Sequence, residues 1–168
     1  MLEYENRFEI RIVNDASLNE IDHYYELYKN VSAKNKEISV FDVNKKFFEK
    51  IIKHPNWELI ELKLKPEHDT RKTRSAVGFV ISYRTQDNYC GLIAGIDYDF
   101  AEENNVYPQT MWQTILRANH HKSKKLFLGY TASQNKRKFG AKVLKNVAYV
   151  QMKDNFNSQI ISLIANKK

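Results

Sequence analysis

The sequence predicts one α+β domain in which a mixed, mostly antiparallel sheet is flanked by helices. Three observations predict it. Several short runs alternate apolar and polar residues, others repeat apolar residues at helical spacing, and the two kinds of run interleave along 168 residues. Alternation sends successive side chains to opposite sheet faces, whereas spacings of three and four build one stripe along a helix. The length suits a single core and leaves little room for a second one.

Phe8 to Val13 sets Phe8, Ile10 and Ile12 against Glu9 and Arg11, the period of a half-buried strand, and stops at Asn14-Asp15. Ser17 with Glu20 forms a capping-box pattern, after which Ile21, Tyr24, Tyr25, Tyr28 and Val31 recur at helical spacing. Asp42 opens a second predicted helix whose stripe is Val43, Phe47, Phe48, Ile51 and Ile52, and His54-Pro55 ends it. Three strands follow, at Trp57 to Leu64, Ala76 to Arg84 and Tyr89 to Tyr98. The link Lys65 to Ser75 is polar and charged, which predicts an exposed, mobile hairpin loop, and Thr85 to Asn88 is short enough for a tight antiparallel turn.

Tyr107, Met111, Ile115 and Ala118 mark a third helix to about Lys122, with Pro108 in the first turn, where a missing N–H is tolerated. Leu126 to Tyr130 reads as a short buried strand. Ser133 to Phe139 reads as a short helix with Gly140 as its C-terminal cap, and Val143 to Met152 as a last strand. Ser158 to Ile164 is apolar enough to dock as either a helix or a strand.

Apolar residues make up 42% of the chain and aromatics 12%, enough for a core despite a mean hydropathy of −0.62. Cys90 is the single cysteine, so neither a disulfide framework nor a cysteine-based metal site is available. The first residues lack a signal-peptide pattern and no run is long enough to span a membrane, so the expected location is the cytoplasm. The net charge of +7 is uneven: from Asn104 to Lys153 there is no acid. Arg117, Lys122, Lys124, Lys125, Lys136, Arg137, Lys138, Lys142, Lys145 and Lys153 stand there unopposed by sequence. Such a run is either a solvated face or the footprint of an anionic, phosphate-bearing ligand.

Between Val77 and Val150 stand Gly78-Phe79-Val80, Gly95-Ile96-Asp97-Tyr98, Val106-Tyr107, Leu128-Gly129-Tyr130-Thr131 and Lys136-Arg137-Lys138-Phe139-Gly140-Ala141. In that order and spacing they resemble the FemAB-like branch of the GNAT acyltransferase superfamily, which includes peptidoglycan-bridge aminoacyl transferases and acetyltransferase-like domains. The whole order of elements, β-α-α-β-β-β-α-β-α-β, is similar to the GNAT fold across residues 1–168. The resemblance implies an N-acyltransferase that takes its acyl group from acyl-CoA (acetyl-CoA) or an aminoacyl carrier such as aminoacyl-tRNA and delivers it to an amine. GNAT members hold the CoA pyrophosphate in a glycine-containing turn between the fourth strand and the next helix. Asp99 to Tyr107 has no glycine here and carries Glu102 and Glu103, so the close backbone approach that turn provides is missing.

Asp97 and Asp99 close the third of the successive strands, where strand ends face ligand crevices; alternation puts both on one face. Asp97 is the candidate that orients or deprotonates an attacking amine, and strand-end turn chemistry is the competing reading. Tyr130 is a candidate donor to a carbonyl or leaving thiolate, with Thr131 beside it, although in a chain with ten tyrosines a packing role is the stronger competing reading. Tyr107 lies at the expected helix entrance. Lys136, and Lys138 with it, are candidate contacts to a phosphate or carboxylate, against a solvated helix face. His120-His121 point apart on a helix and have no third ligand by sequence, so a metal is not expected. Two further readings stand beside the transferase: a basic RNA- or tRNA-binding module, and a catalytically silent domain within a larger protein.

Overall fold

The computed structural model describes residues 2–34, 43–129 and 133–145. The elements are α1 (Leu2–Glu5), β1 (Phe8–Val13), α2 (Leu18–Lys34), α3 (Lys45–Ile51), β2 (Trp57–Leu64), β3 (Ala76–Arg84), β4 (Asn88–Ile96), α4 (Tyr98–Ala101), α5 (Val106–His120), β5 (Lys125–Phe127) and α6 (Ser133–Arg137). The five strands lie in sequence order, β1-β2-β3-β4-β5. The first three pairings are antiparallel, and β4 with β5 is parallel, because α5 carries the chain back along the sheet between them.

Helices cover both faces. Over one, α2 and α3 bury Tyr24, Leu27, Phe48 and Ile51 against Leu59, Phe79 and Ile81. Tyr24, Phe48 and Phe79 meet edge to face, with centroids 5.6 Å and 5.9 Å apart. Over the other, Val106 of α5 and Phe100 pack on Phe8, Ile60, Leu62, Val77 and Val80. Each such large side chain contributes roughly 2 kcal/mol by leaving water. Gly78 and Gly91 let α5 come close: a Cβ would stand 2.5 Å from Val106 Cγ1 at the first and 3.0 Å from Thr114 Cγ2 at the second.

The local signals act as expected at several points. Ser17 Oγ accepts the Glu20 amide at 3.3 Å while Glu20 Oε2 accepts the Ser17 amide at 2.8 Å, closing the capping box of α2. Gly140, at φ +81°, donates to the Arg137 carbonyl, and Ala141 to that of Lys136, the paired bonds of a Schellman ending.

Other expectations change. The N-cap of α3 is Asn44, whose side chain accepts the Phe47 amide, rather than Asp42, which lies outside the described residues. β4 ends at Ile96, two residues early, because Asp97 caps the short helix α4, and the shared strand face expected for Asp97 and Asp99 disappears with it. The link Lys65 to Ser75 is anchored: Asp69 is 6% exposed and its carboxylate accepts the amides of Thr73 and Arg74 at 3.0 and 2.9 Å. β5 is shorter than expected, and Val143 to Lys145 take no strand; residues 146–168, including the possible terminal element at Ser158 to Ile164, lie outside the described part.

Candidate active site

The crevice that could receive a ligand begins where β4 and β5 part. Only Asn88, Tyr89 and Cys90 pair with Lys125, Leu126 and Phe127. Just beyond, the β3–β4 register slips: Ile81 faces Ile93 and Ser82 faces Gly91, so Leu92 is an extra residue. A bulge bends and twists its strand, and this one turns β4 aside at the point where its pairing with β5 stops. Gly91 to Ile96 then have no second strand partner among the described residues. Leu92 and Phe127, each 42% exposed, supply apolar surface at this fork.

Gly129, at φ +75°, brings the chain after β5 back to β4: the position of a Cβ on it lies 3.3 Å from the Gly91 carbonyl oxygen and 3.6 Å from Lys136 Nζ. The glycine is needed here both for its dihedral and for its small size. Lys136, at the C-terminal end of the five-residue α6, thus reaches the narrow end of the fork. Lys138 is exposed one residue past α6. Tyr130 and Thr131 lie outside the described residues.

The other end of the crevice is the connection from β4 to α5. Asp97 accepts the Asp99 amide at 3.0 Å, and Asp99 pairs with Arg71 at 2.7 Å, a contact that ties the β2–β3 link to α4. Tyr98 lies under Lys34 Nζ at 3.4 Å, and Asn30 Nδ2 donates to the Ile96 carbonyl at 3.3 Å, so the C-terminal part of α2 flanks β4. Tyr107 is half-buried in the first turn of α5; burial first, and Tyr98 second, push its phenol above the ordinary value. Of the expected site residues, Asp97 and Tyr107 therefore border the β4–α5 connection, and Lys136 lies near Gly129 beside Gly91 of β4.

Two polar clusters were not foreseen. Glu58 accepts from Arg117 Nε and Nη2 at 3.0 and 2.7 Å, from Tyr89 Oη at 2.7 Å and from His121 Nε2 at 2.6 Å. Arg84 Nη1 lies 3.0 Å from His121 Nδ1 and Arg117 Nη2 3.1 Å from Nε2; the Glu58 carboxylate, which only accepts, is nearest of all at 2.6 Å from Nε2, so Nε2 carries the hydrogen and Nδ1 accepts from Arg84. Burial alone would raise the Glu58 carboxyl, yet the donors from Arg117, Tyr89 and His121 outweigh it and hold it at about 2. The signal was available: Glu58, Arg84 and Tyr89 share one sheet face by register, while Arg117 and His121 are four apart on one helix. His121 is thus engaged with carboxylate and guanidinium. Among the described residues, no three potential ligands come together around a metal position.

On the opposite sheet face, Arg11 grips Glu61 through Nε and Nη2 at 3.0 and 3.1 Å and reaches Glu20 at 2.5 Å, and Tyr24 donates to Glu61 at 2.5 Å. A recess of about 480 Å³ opens over this group. Its central charges satisfy one another, which makes it a structural network. The Cys90 thiol is pushed up by burial, contrary to what a nucleophile needs.

The sequence matches no protein-family model and no curated protein. Solved structures do match in fold. A ribosomal-protein-alanine N-acetyltransferase from Brucella melitensis biovar Abortus superposes with a TM-score of 0.62 at 13% identity, over 88% of this chain and 99% of that one. An aminoglycoside acetyltransferase from an uncultured soil metagenomic sample, in complex with sisomicin, gives 0.56 at 13% identity, over 89% and 99%. An aminoglycoside N-acetyltransferase in complex with CoA gives 0.59 at 11% identity, over 88% and 95%. The chain has the α+β fold of the GNAT acetyltransferases. At these identities the likeness defines the fold, and activity must be argued from the site.

One of these neighbours holds CoA, whose diphosphate needs converging N–H groups or cations. The amides of Asp97, Asp99, Phe100, Asn104 and Asn105 are all bonded within the chain, and Glu102 and Glu103 are exposed beside them. What this connection leaves toward a diphosphate is the first turn of α5, which the side chain of Asn105 does not cap.

Proposed function

We propose that the chain is an N-acyltransferase whose β4–β5 fork receives a carrier-bound acyl thioester and an amine acceptor. The observation that carries this reading is the fork itself: a bulged β4 whose edge past Cys90 has no strand partner among the described residues, apolar Leu92 and Phe127 beside it, and Lys136 Nζ close to Gly129. An extended arm can add to a free strand edge through backbone hydrogen bonds, while an ammonium at the fork favours charge developing on a carbonyl oxygen.

In the reaction, the acceptor nitrogen attacks the thioester carbonyl carbon, the C–N bond forms, the C–S bond breaks, and the amine proton leaves to a base. Lys136 faces the oxyanion or the carrier, and Tyr130 is the proposed proton donor to the departing thiolate, with Thr131 beside it. Asp97 has one oxygen on the Asp99 amide and offers the other as the base; Tyr107 lines the wide end, and Lys138 adds positive charge outside. Holding both reactants in one crevice lowers the barrier by removing the entropy of their encounter. The motifs from Gly78 to Ala141 support a relation to the FemAB-like branch, with an aminoacyl carrier as an alternative donor. The acid-free stretch supports tRNA as that carrier, although Arg117 and Lys124 are already paired, with Glu58 and Asp87.

Calorimetry with acyl thioesters and aminoacyl carriers tests the reading. Lys136→Ala is expected to weaken binding about tenfold or more, the size of a lost charged hydrogen bond. Absence of binding by every such carrier removes the proposal.

A further inference from the structure

We infer that the protein carries a second ligand site, for a small carboxylate or phosphate anion, where the β3–β4 turn meets the C-terminal end of α5. The site does not depend on the acyl-transfer reading. A recess of about 490 Å³ opens there, lined by Asn56, Tyr83, Arg84, Thr85, Gln86 and His121. No carboxylate lines it, and its fixed charge comes from the half-buried Arg84.

Arg11, Arg71 and Arg117 each grip a carboxylate. Arg84 does not. Its Nη1 donates to His121 Nδ1 at 3.0 Å and its Nη2 to the Pro55 carbonyl at 3.3 Å. Both acceptors are neutral, because His121 keeps its hydrogen on Nε2 for Glu58. The remaining N–H groups of Arg84 have no acceptor among the described residues. A half-buried guanidinium that meets only neutral acceptors keeps an uncompensated charge, which costs stability unless something else supplies the counter-charge.

The local acids do not supply it. Glu58 is taken by Arg117, Tyr89 and His121, and the imidazole stands between it and Arg84. The two guanidiniums of Arg84 and Arg117 therefore share one carboxylate, which leaves a positive charge over on the recess side. Asp87, on the turn itself, is exposed and pairs with Lys124 at 2.9 Å. An anion seated on Arg84 would balance the cluster, since the planar fork of a guanidinium matches two oxygens of a carboxylate or phosphate.

The neutral groups of the recess suit the same ligand. The side-chain amides of Asn56 and Gln86, the Tyr83 hydroxyl and the Gln86 backbone N–H are donors with no partner among the described residues. The Tyr83 ring is held against Trp57, with centroids 5.0 Å apart, and gives the recess a fixed wall. The volume admits a small organic body behind the anionic group.

Isothermal titration of the full chain at low salt with inorganic phosphate and, separately, with succinate reads the site. Saturable binding of at least one of them is expected, with a dissociation constant of about 1 mM or tighter. Phosphate alone would make the ligand a phosphate ester, and succinate alone a carboxylic acid. Arg84→Gln is expected to weaken binding about tenfold or more, the size of a lost charged hydrogen bond. Gln86→Glu, at an exposed turn position, puts a carboxylate on the recess wall without touching the Glu58 cluster. It is expected to weaken binding by a similar factor while the thermal midpoint of the free protein stays unchanged, and it decides the matter if Arg84→Gln fails to fold. Affinity retained in Gln86→Glu, or in a folded Arg84→Gln protein, would mean that the anion is held by the diffuse charge of a chain with a net +7, and overturns the site. Absence of binding by both anions overturns it as well.

Discussion

Gly95 lies under the ring of Phe79, directly opposite it in the β3–β4 register, and a Cβ there would overlap the ring carbons. Phe79 is fully buried and held edge-on by Tyr24 and Phe48, so it has nowhere to move. Gly95→Ala is therefore expected to destabilise the fold by about 2 kcal/mol, the usual scale of overpacking a close-fitted core, read as a lower denaturant midpoint at unchanged slope. An unaffected midpoint would show that the ring is free to shift. Two of the motifs that carried the family resemblance, those around Gly78 and Gly95, thus have packing reasons. Lys136 differs: its place in the fork depends on the return of the chain at Gly129, a contact between segments that no run of residues announces.

At the scale of elements, Glu58 clamps β2 to the C-terminal turn of α5 through Arg117 and His121. Its carboxyl titrates at about 2 in the folded chain against an ordinary 4.5, so the folded state is favoured above pH 4.5 and loses that advantage as the pH falls toward 2. The contribution is about 2 kcal/mol after solvent screening. Glu58→Gln is expected to flatten the fall in stability between these pH values without abolishing it. Glu20, held at about 2 chiefly by the Ser17 amide and by Arg11, still titrates in the same window. Urea midpoints measured across that window check this, and equal slopes for both proteins would contradict it. The strands and long helices were legible because burial of one face imposes a period over six residues or more. The four residues of α4 are too few to display one, and the slip at Leu92 is a relation between two strands that neither carries alone. Hence the order of elements was readable, whereas the crevice was only half so.

For the whole molecule, the question is whether helices on opposite sheet faces unfold together. The two cores share the strands: along β2, Leu59 belongs to one and Ile60 to the other. Loss of either side would bare a sheet face whose other face is still packed, so we propose a single cooperative unit, consistent with one domain over the chain. The two tryptophans report on the two sides. Trp57 packs against Phe47 and Tyr83 near α3, and Trp112 on α5 donates to Glu5 of α1 at 3.1 Å. In Trp112→Phe the fluorescence follows the α2–α3 side, and in Trp57→Phe it follows the α5 side. Within each variant the fluorescence and far-ultraviolet dichroism transitions are expected to coincide in urea. Trp112→Phe should shift both midpoints together by about 1 kcal/mol for the lost hydrogen bond. A fluorescence transition in the Trp57→Phe protein that precedes the loss of secondary structure would mean that α5 detaches from the sheet first. In that case the fork, which α5 backs at Gly91 and Thr114, would open before the rest of the fold gives way.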